Sequence, residues 1–182
     1  NILQPLLIPG QNVTIDSNNV IAAQFRDVKI NDISDCVSNI SDFTNSMLIG
    51  TTEHGTLSNA INNIGVGLNS LRAIVSGQNN IAIGKDALSS DNSGSTNVAV
   101  GTKTLENNTT GQGNVSIGNQ SGTINTTGEN NTFIGKYSDA TTTYNNLSNA
   151  TAIGYNAKVN ANNTIKLGNN AITHLKCVGK LT

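Results

Sequence analysis

The sequence predicts an all-β fold, a parallel β-solenoid, and three periodicities carry the prediction. The first is a run of short apolar segments, each closed by a glycine. The closing residues Gly50, Gly67, Gly84, Gly101, Gly118 and Gly135 recur every 17 residues, and Gly154 and Gly168 follow at intervals of 19 and 14. The second is a further glycine at the same period (Gly77, Gly94, Gly111, Gly128), with an asparagine before each strand at Asn63, Asn80, Asn97, Asn114 and Asn131. The third is Leu71, Leu88 and Leu105, a register lost where Gly122 stands. Self-similarity at a fixed period is the signature of stacked repeat units.

Within each unit the strand comes first. Ile64 and Val66, Ile81 and Ile83, Val98 and Val100, and Val115 and Ile117 each flank a small residue; Ile49, Ile134, Ile153, Ile165 and Leu167 hold matching places. Side chains alternate along a strand, so the flanking pair shares one face. That face is expected to point inward and form the repeat core. The closing glycine suits a bend or a positive φ, and the Asn-Thr-Gly and Asn-Ser-Gly runs opposite suit a second turn. Stacked asparagines suit side-chain ladders that satisfy backbone groups at the corners. Coils then stack about 4.8 Å apart. A helical repeat is excluded, because the units lack a 3.6-residue period and are rich in glycine and β-branched residues.

Energetics point to association. Each coil offers about three apolar side chains, worth roughly 1.5–3 kcal/mol apiece when buried. Ordering its residues costs roughly 1–2 kcal/mol each in backbone entropy. Several chains around a shared apolar axis would make up the difference, in a number this argument does not fix.

Composition narrows the function classes. Asn, Thr, Ser and Gly dominate and aromatics are 3% of the chain, a profile that resembles disorder until the strict apolar period is noticed. Charged residues are 12% and the net charge is -1, against roughly 25% charged residues in an average soluble domain. The bases Arg26, Arg72, Lys85, Lys103 and Lys136 stand singly, which speaks against a nucleic-acid partner. No apolar run reaches the roughly 20 residues that span a bilayer, so no membrane insertion is expected. The stretch from Ile2 to Ile8 is broken by Pro5 and lacks the basic flank of a signal peptide. An opening at Asn1 rather than Met predicts a piece of a longer protein.

No catalytic, metal-binding or cofactor-binding residues are expected, and so no enzyme. His54 and His174 fall at opposite ends of the repeat region and read as surface or junction residues. Gly84-Lys85-Asp86 lacks the hydroxyl residue and upstream glycine of a phosphate loop. Cys36 precedes the first coil and Cys177 follows the last. Seven steps of about 4.8 Å hold them roughly 34 Å apart, whereas a disulfide needs Cα atoms within about 7 Å. They are expected to be free thiols or to bond between chains. Tyr137, Tyr144 and Tyr155, the only tyrosines, cluster where the period breaks. They suit either a sugar-binding surface or a cap on the end of the core. Sequons at Asn108, Asn125 and Asn149 arise readily in so Asn- and Thr-rich a chain. Thr109, Thr110, Thr126 and Thr127 fall in two coils only, too few for a flat ice-binding array.

The motifs Asn80-Ile81-Ala82-Ile83-Gly84 and Asn97-Val98-Ala99-Val100-Gly101 resemble the head repeat of trimeric autotransporter adhesins (YadA-like). They are equally similar to the repeat region of phage and large-virus tail-fibre proteins, upstream of an endosialidase-type intramolecular chaperone. The resemblance covers about residues 45–168. It implies a left-handed parallel β-roll, a homotrimeric rod on a virion surface or otherwise extracellular, and multivalent attachment to a host glycan or protein. The autotransporter repeat has fourteen residues, an interval found here only in the last step. The three extra residues, within Asp91 to Thr96 and its counterparts, suggest longer outward loops. Asn163-Thr164-Ile165-Lys166-Leu167-Gly168-Asn169, running on to Thr182, resembles the segment just before the chaperone, whose absence fits self-cleavage after assembly. Gly10 to Ile15 with Asn19-Val20-Ile21 is similar to a viral-fibre start and favours a fibre protein over a bacterial adhesin.

The organisation expected is an N-terminal attachment segment over 1–44 with short strands at Val13-Ile15 and Val28-Ile30, a solenoid over 45–168, and a cap or junction over 169–182. Two other classes stay open: an end-to-end filament joining 1–44 to the 169–182 end of the next unit, and a polysaccharide-degrading fibre with an acidic site between subunits.

Overall fold

The computed structural model describes residues 14–15, 21–22, 36–38, 44–50 and 56–176. It is all-β, and no helix occurs among the described residues. A two-stranded antiparallel sheet is formed by β1 (Thr14–Ile15) and β2 (Ile21–Ala22). The first strand expected from the sequence therefore covers Thr14 and Ile15, while Val28-Ile30 lies outside the described residues.

A nine-stranded sheet runs the length of the repeat. In chain order its members are β3 (Cys36–Ser38), β4 (Met47–Ile49), β5 (Ile64–Val66), β6 (Ile81–Ile83), β7 (Val98–Val100), β8 (Val115–Ile117), β9 (Thr132–Ile134), β11 (Thr151–Ile153) and β13 (Ile165–Leu167). Every neighbour pair from β4 to β13 is parallel, so the chain makes about seven turns of a β-solenoid. The register follows the sequence repeat: Ile81 lies opposite Ile64 on one side and Val98 on the other. β3 pairs antiparallel with β4 and closes the N-terminal edge. A second, two-stranded parallel sheet, β10 (Asp139–Ala140) with β12 (Lys158–Val159), forms where the period lengthens.

The direction of the strand side chains corrects the sequence reading. The middle residue of each strand faces the interior: Leu48, Ala82, Ala99, Ser116, Phe133 and Ala152 are buried. The flanking residues Ile49, Ile64, Val66, Ile81, Ile83, Val98, Val100, Val115, Ile117, Ile134, Ile153, Ile165 and Leu167 are half-buried or exposed. The cause is the width of the coil. Leu71, Leu88 and Leu105, all fully buried, leave little room across from the sheet. A Cβ added to Gly65 would collide with Leu48 Cδ2 and lie 3.4 Å from Leu71 Cδ1. The bulky Phe133 is accommodated the same way: a Cβ on Gly122 would sit 2.9 Å from its ring and 2.8 Å from Leu105 Cδ2. The lost leucine at Gly122 is thus volume compensation, as close packing requires. Ser116 fits this narrow interior because its hydroxyl meets Ser121 Oγ at 2.6 Å and Thr104 Oγ1 at 3.0 Å.

The turns are packed in part: Asp91 and Gly94 are buried, while Asn92 and Thr96, within the outward loop expected from the sequence, are exposed. The closing glycines have positive φ; at Gly84 it is 132°, and an added Cβ would approach the Gly101 carbonyl oxygen of the next coil at 2.5 Å. The interior asparagines complete the design. The backbone N–H groups of Asn80, Asn97, Asn114 and Asn131 donate to the side-chain oxygen of the asparagine one coil earlier, at 2.9–3.0 Å. The side-chain amides of Asn63, Asn80, Asn97 and Asn114 each donate at 2.8 Å to the carbonyl of Gly77, Gly94, Gly111 and Gly128. Ser46 begins this ladder by accepting from Asn63 N–H, and Asn131 ends it by accepting from Ala150 N–H.

Breaking one rung at Asn97 leaves the buried Asn114 N–H without its acceptor, while the Gly111 carbonyl keeps a second donor, the Asn108 amide at 3.1 Å. An unpaired buried donor costs about 1–3 kcal/mol. Asn97→Ala is therefore expected to destabilise the chain by about 1–3 kcal/mol in urea unfolding, whereas Asn107→Ala, at an exposed position, shifts it by less than about 1 kcal/mol.

Candidate functional site

Two surface features and one buried group stand out. The first is an apolar stripe. Because each strand turns its flanking residues outward and the strands stack in register, those residues align into two parallel rows along one face. Ile49, Ile64, Ile81, Ile83, Ile117 and Ile153 are each 36–42% exposed, and Ile165 rises to 71%. Eight parallel strands about 4.8 Å apart make the stripe roughly 34 Å long. Thr132 and Thr151 interrupt one row.

The second is an aromatic corner. The turn after β9 carries Tyr137 and the turn after β11 carries Tyr155; stacking brings their ring centroids to 6.2 Å at an interplanar angle of 58°. Lys136 Nζ lies 4.8 Å from the Tyr137 ring centroid, within cation–π range. Tyr155 is 61% exposed and Tyr144 42%, so neither caps the core. Tyr144 makes no ring contact with the other two and sits on the exposed turn following Thr141.

The buried group is Asp91. It belongs to a column with Asn108 and Asn125, in which Asn108 donates to Asp91 Oδ1 at 3.3 Å and Asn125 donates to Asn108 Oδ1 at 2.9 Å. Gly94 N–H also donates to Asp91 Oδ1 at 3.0 Å, while Oδ2 has no partner. Burial pushes the Asp91 carboxyl up from 3.8 to about 8, against the weaker opposing pull of these two hydrogen bonds. Asp139 is also raised by burial, despite donors from Ile124 N–H and Thr123 Oγ1 and the charge of Lys158.

Other sequence candidates resolve simply. Asn108 and Asn125 are buried with their amides engaged, so in the folded chain neither is a glycan acceptor; Asn149 is exposed and its amide donates to Asn163 Oδ1. His174 is exposed with Nδ1 at 2.9 Å from Thr173 Oγ1. His54 and Cys177 lie outside the described residues. The backbone of Cys36 sits opposite Ile49 in the antiparallel edge pair. No group of three His, Cys, Asp or Glu converges among the described residues. Sequence reasoning missed the buried Asp91. Its signal was there: Asp91 occupies the register that holds Asn108 and Asn125 in the next coils. Comparison with protein-family models, with curated proteins and with solved structures finds no match.

The sign of the Asp91 effect follows from proton binding. The folded chain keeps the proton up to about pH 8, while the unfolded chain releases it near 3.8. Between these limits unfolding releases a proton, so rising pH favours the unfolded chain. Stability is expected to fall from about pH 4 to about pH 8 and then level. Asp91→Asn, which supplies the amide found in the neighbouring coils, is expected to raise stability at pH 8 by at least about 2 kcal/mol and flatten most of that slope in thermal melts. Asp139 contributes the slope that remains.

Proposed function

We propose that this chain is the shaft of a homotrimeric surface fibre, a stiff rod on a virion or cell surface that mediates multivalent attachment to a host glycan or protein. The apolar stripe carries the reading. Monomer surfaces carry isolated apolar side chains, whereas long contiguous patches mark interfaces. A stripe running along the solenoid axis suits association side by side, with one sheet face of every chain turned to a common axis. Three is the number that the resemblance to autotransporter heads and tail fibres implies, as are the left-handed coil and the extracellular setting. The 17-residue coil is the repeat on which that rod is built.

Register favours parallel chains. A closed cyclic arrangement sets equivalent residues of every chain at the same height on the axis. Thr132 and Thr151 then meet their own copies and share hydroxyl hydrogen bonds, instead of facing isoleucine across an antiparallel pairing. Attachment through many weak contacts needs no tight single site, because linked copies raise effective concentration. The exposed Tyr137–Tyr155 corner is a contact surface of the required kind, an apolar ring face with a polar tip.

Charge placed in the stripe tests the assembly. Ile83→Asp with Ile117→Asp is expected to shift the sedimenting species from trimer to monomer and to lower thermal stability. Asn107→Asp, a control off the stripe, is expected to leave the trimer intact. A double variant that still sediments as a trimer would refute the stripe as the interface.

A further inference from the structure

The C-terminal end of the solenoid differs in chemistry from the rest. The interior column of strand residues that begins at Leu48 and passes through Ala99 and Phe133 ends at Lys166, the middle residue of β13, which lies opposite Ala152. A cavity of about 350 Å³ opens there, lined by Asn156, Lys158, Lys166, Asn169, Asn170 and Ala171. Its volume lies at the lower end of the roughly 300–1,000 Å³ usual for small-ligand sites.

The lining is rich in donors and carries no carboxylate. Lys166 Nζ has only the Asn170 side-chain oxygen, at 3.4 Å. Lys158 lies opposite Asp139 in the β10–β12 pair and its charge is felt by that buried carboxyl, but neither lysine forms an ion pair among the described residues. Asn169 Oδ1 accepts from Ala171 N–H, which leaves its amide N–H groups for a ligand. After Asp139 the sequence contains no Asp or Glu, while Lys158, Lys166, Lys176 and Lys180 follow. On the chain, the cavity residue Asn156 directly follows Tyr155 of the exposed aromatic corner.

We propose that this end of the rod binds a carboxylated oligosaccharide, with the carboxylate at the Lys158 and Lys166 ammonium groups and ring hydroxyls on the asparagine amides. Asparagine amides pair with vicinal hydroxyls as both donor and acceptor, and the tyrosine faces offer apolar surface to the C–H side of a neighbouring sugar ring. A nucleic acid fits less well, because tracking a phosphate backbone needs more clustered cations than these. The proposal names a ligand class for the attachment function above and rests on that reading.

Titration calorimetry of the full chain with trigalacturonate and with its methyl ester tests it. The acid is expected to bind, the uncharged ester about tenfold or more weakly, and Lys166→Gln to weaken the acid by about fivefold or more while Asn107→Ala, an exposed position outside the cavity lining, leaves it unchanged. Added salt is expected to weaken the acid alone, since screening acts on the charge. No binding of the acid, equal binding of acid and ester, or unaltered binding by Lys166→Gln would overturn the site. The native mass of the same samples separates the two proposals. A trimer that does not bind removes the site and leaves the fibre, and a monomer that binds removes the trimer and leaves the site.

Discussion

Alternation lets a three-residue strand turn inward either its middle side chain or its flanking pair; here the middle one is buried, and the rest of this molecule follows from that choice. The coil is narrow: one wall is a column of leucines, the other the middle of each strand. Where a leucine stands in the coil, the middle residue is glycine or alanine (Gly65, Ala82, Ala99), and the large Phe133 packs where Gly122 replaces the leucine. Isoleucine and valine are consequently placed on the outside, where β-propensity keeps the strand extended and where apolar area is left without a partner inside the chain. The thin core and the apolar surface are two consequences of one steric limit.

The same limit explains why the interior is so polar. With few methyl groups available, specificity comes from hydrogen bonds that repeat with the coil. Each rung of the asparagine ladder satisfies one backbone donor and one backbone acceptor in places where water cannot reach. Buried polar groups stabilise only when fully paired, and here the stacking does the pairing: every coil supplies the acceptor for the one above. Asp91 is the exception. It takes an asparagine's place in a second column with an oxygen that finds no donor, so it retains a proton where an amide would supply one.

Much of this was legible in the sequence. The glycine and asparagine periods gave the parallel register, the leucine column gave the inner wall, and the stacked amides were foreseeable from Asn80, Asn97 and Asn114. Side-chain direction was not. A pattern of large, small, large residues with period two states which residues share a face, but not which face is inside; hydrophobicity alone argued for the wrong one. The decisive clue was size, since Gly65, Ala82, Ala99 and Ser116 are small in coil after coil, as a narrow interior demands. One turn conformation was hidden for a related reason. Leu88 adopts a φ of 48° and is fully buried, a strained conformation that only packing justifies and that no glycine announces. The pairing of Tyr137 with Tyr155 depends on the irregular step between their coils and could not be read from spacing.

Whether the outward-facing stripe is an interface is the claim on which the functional account turns. Native mass from light scattering coupled to size exclusion addresses it directly on the unaltered chain. The account predicts three times the 18.9 kDa chain mass, held on dilution because the apolar stripe is buried between copies. A stable monomer of 18.9 kDa would contradict it and leave a single-chain solenoid that carries its apolar stripe to solvent.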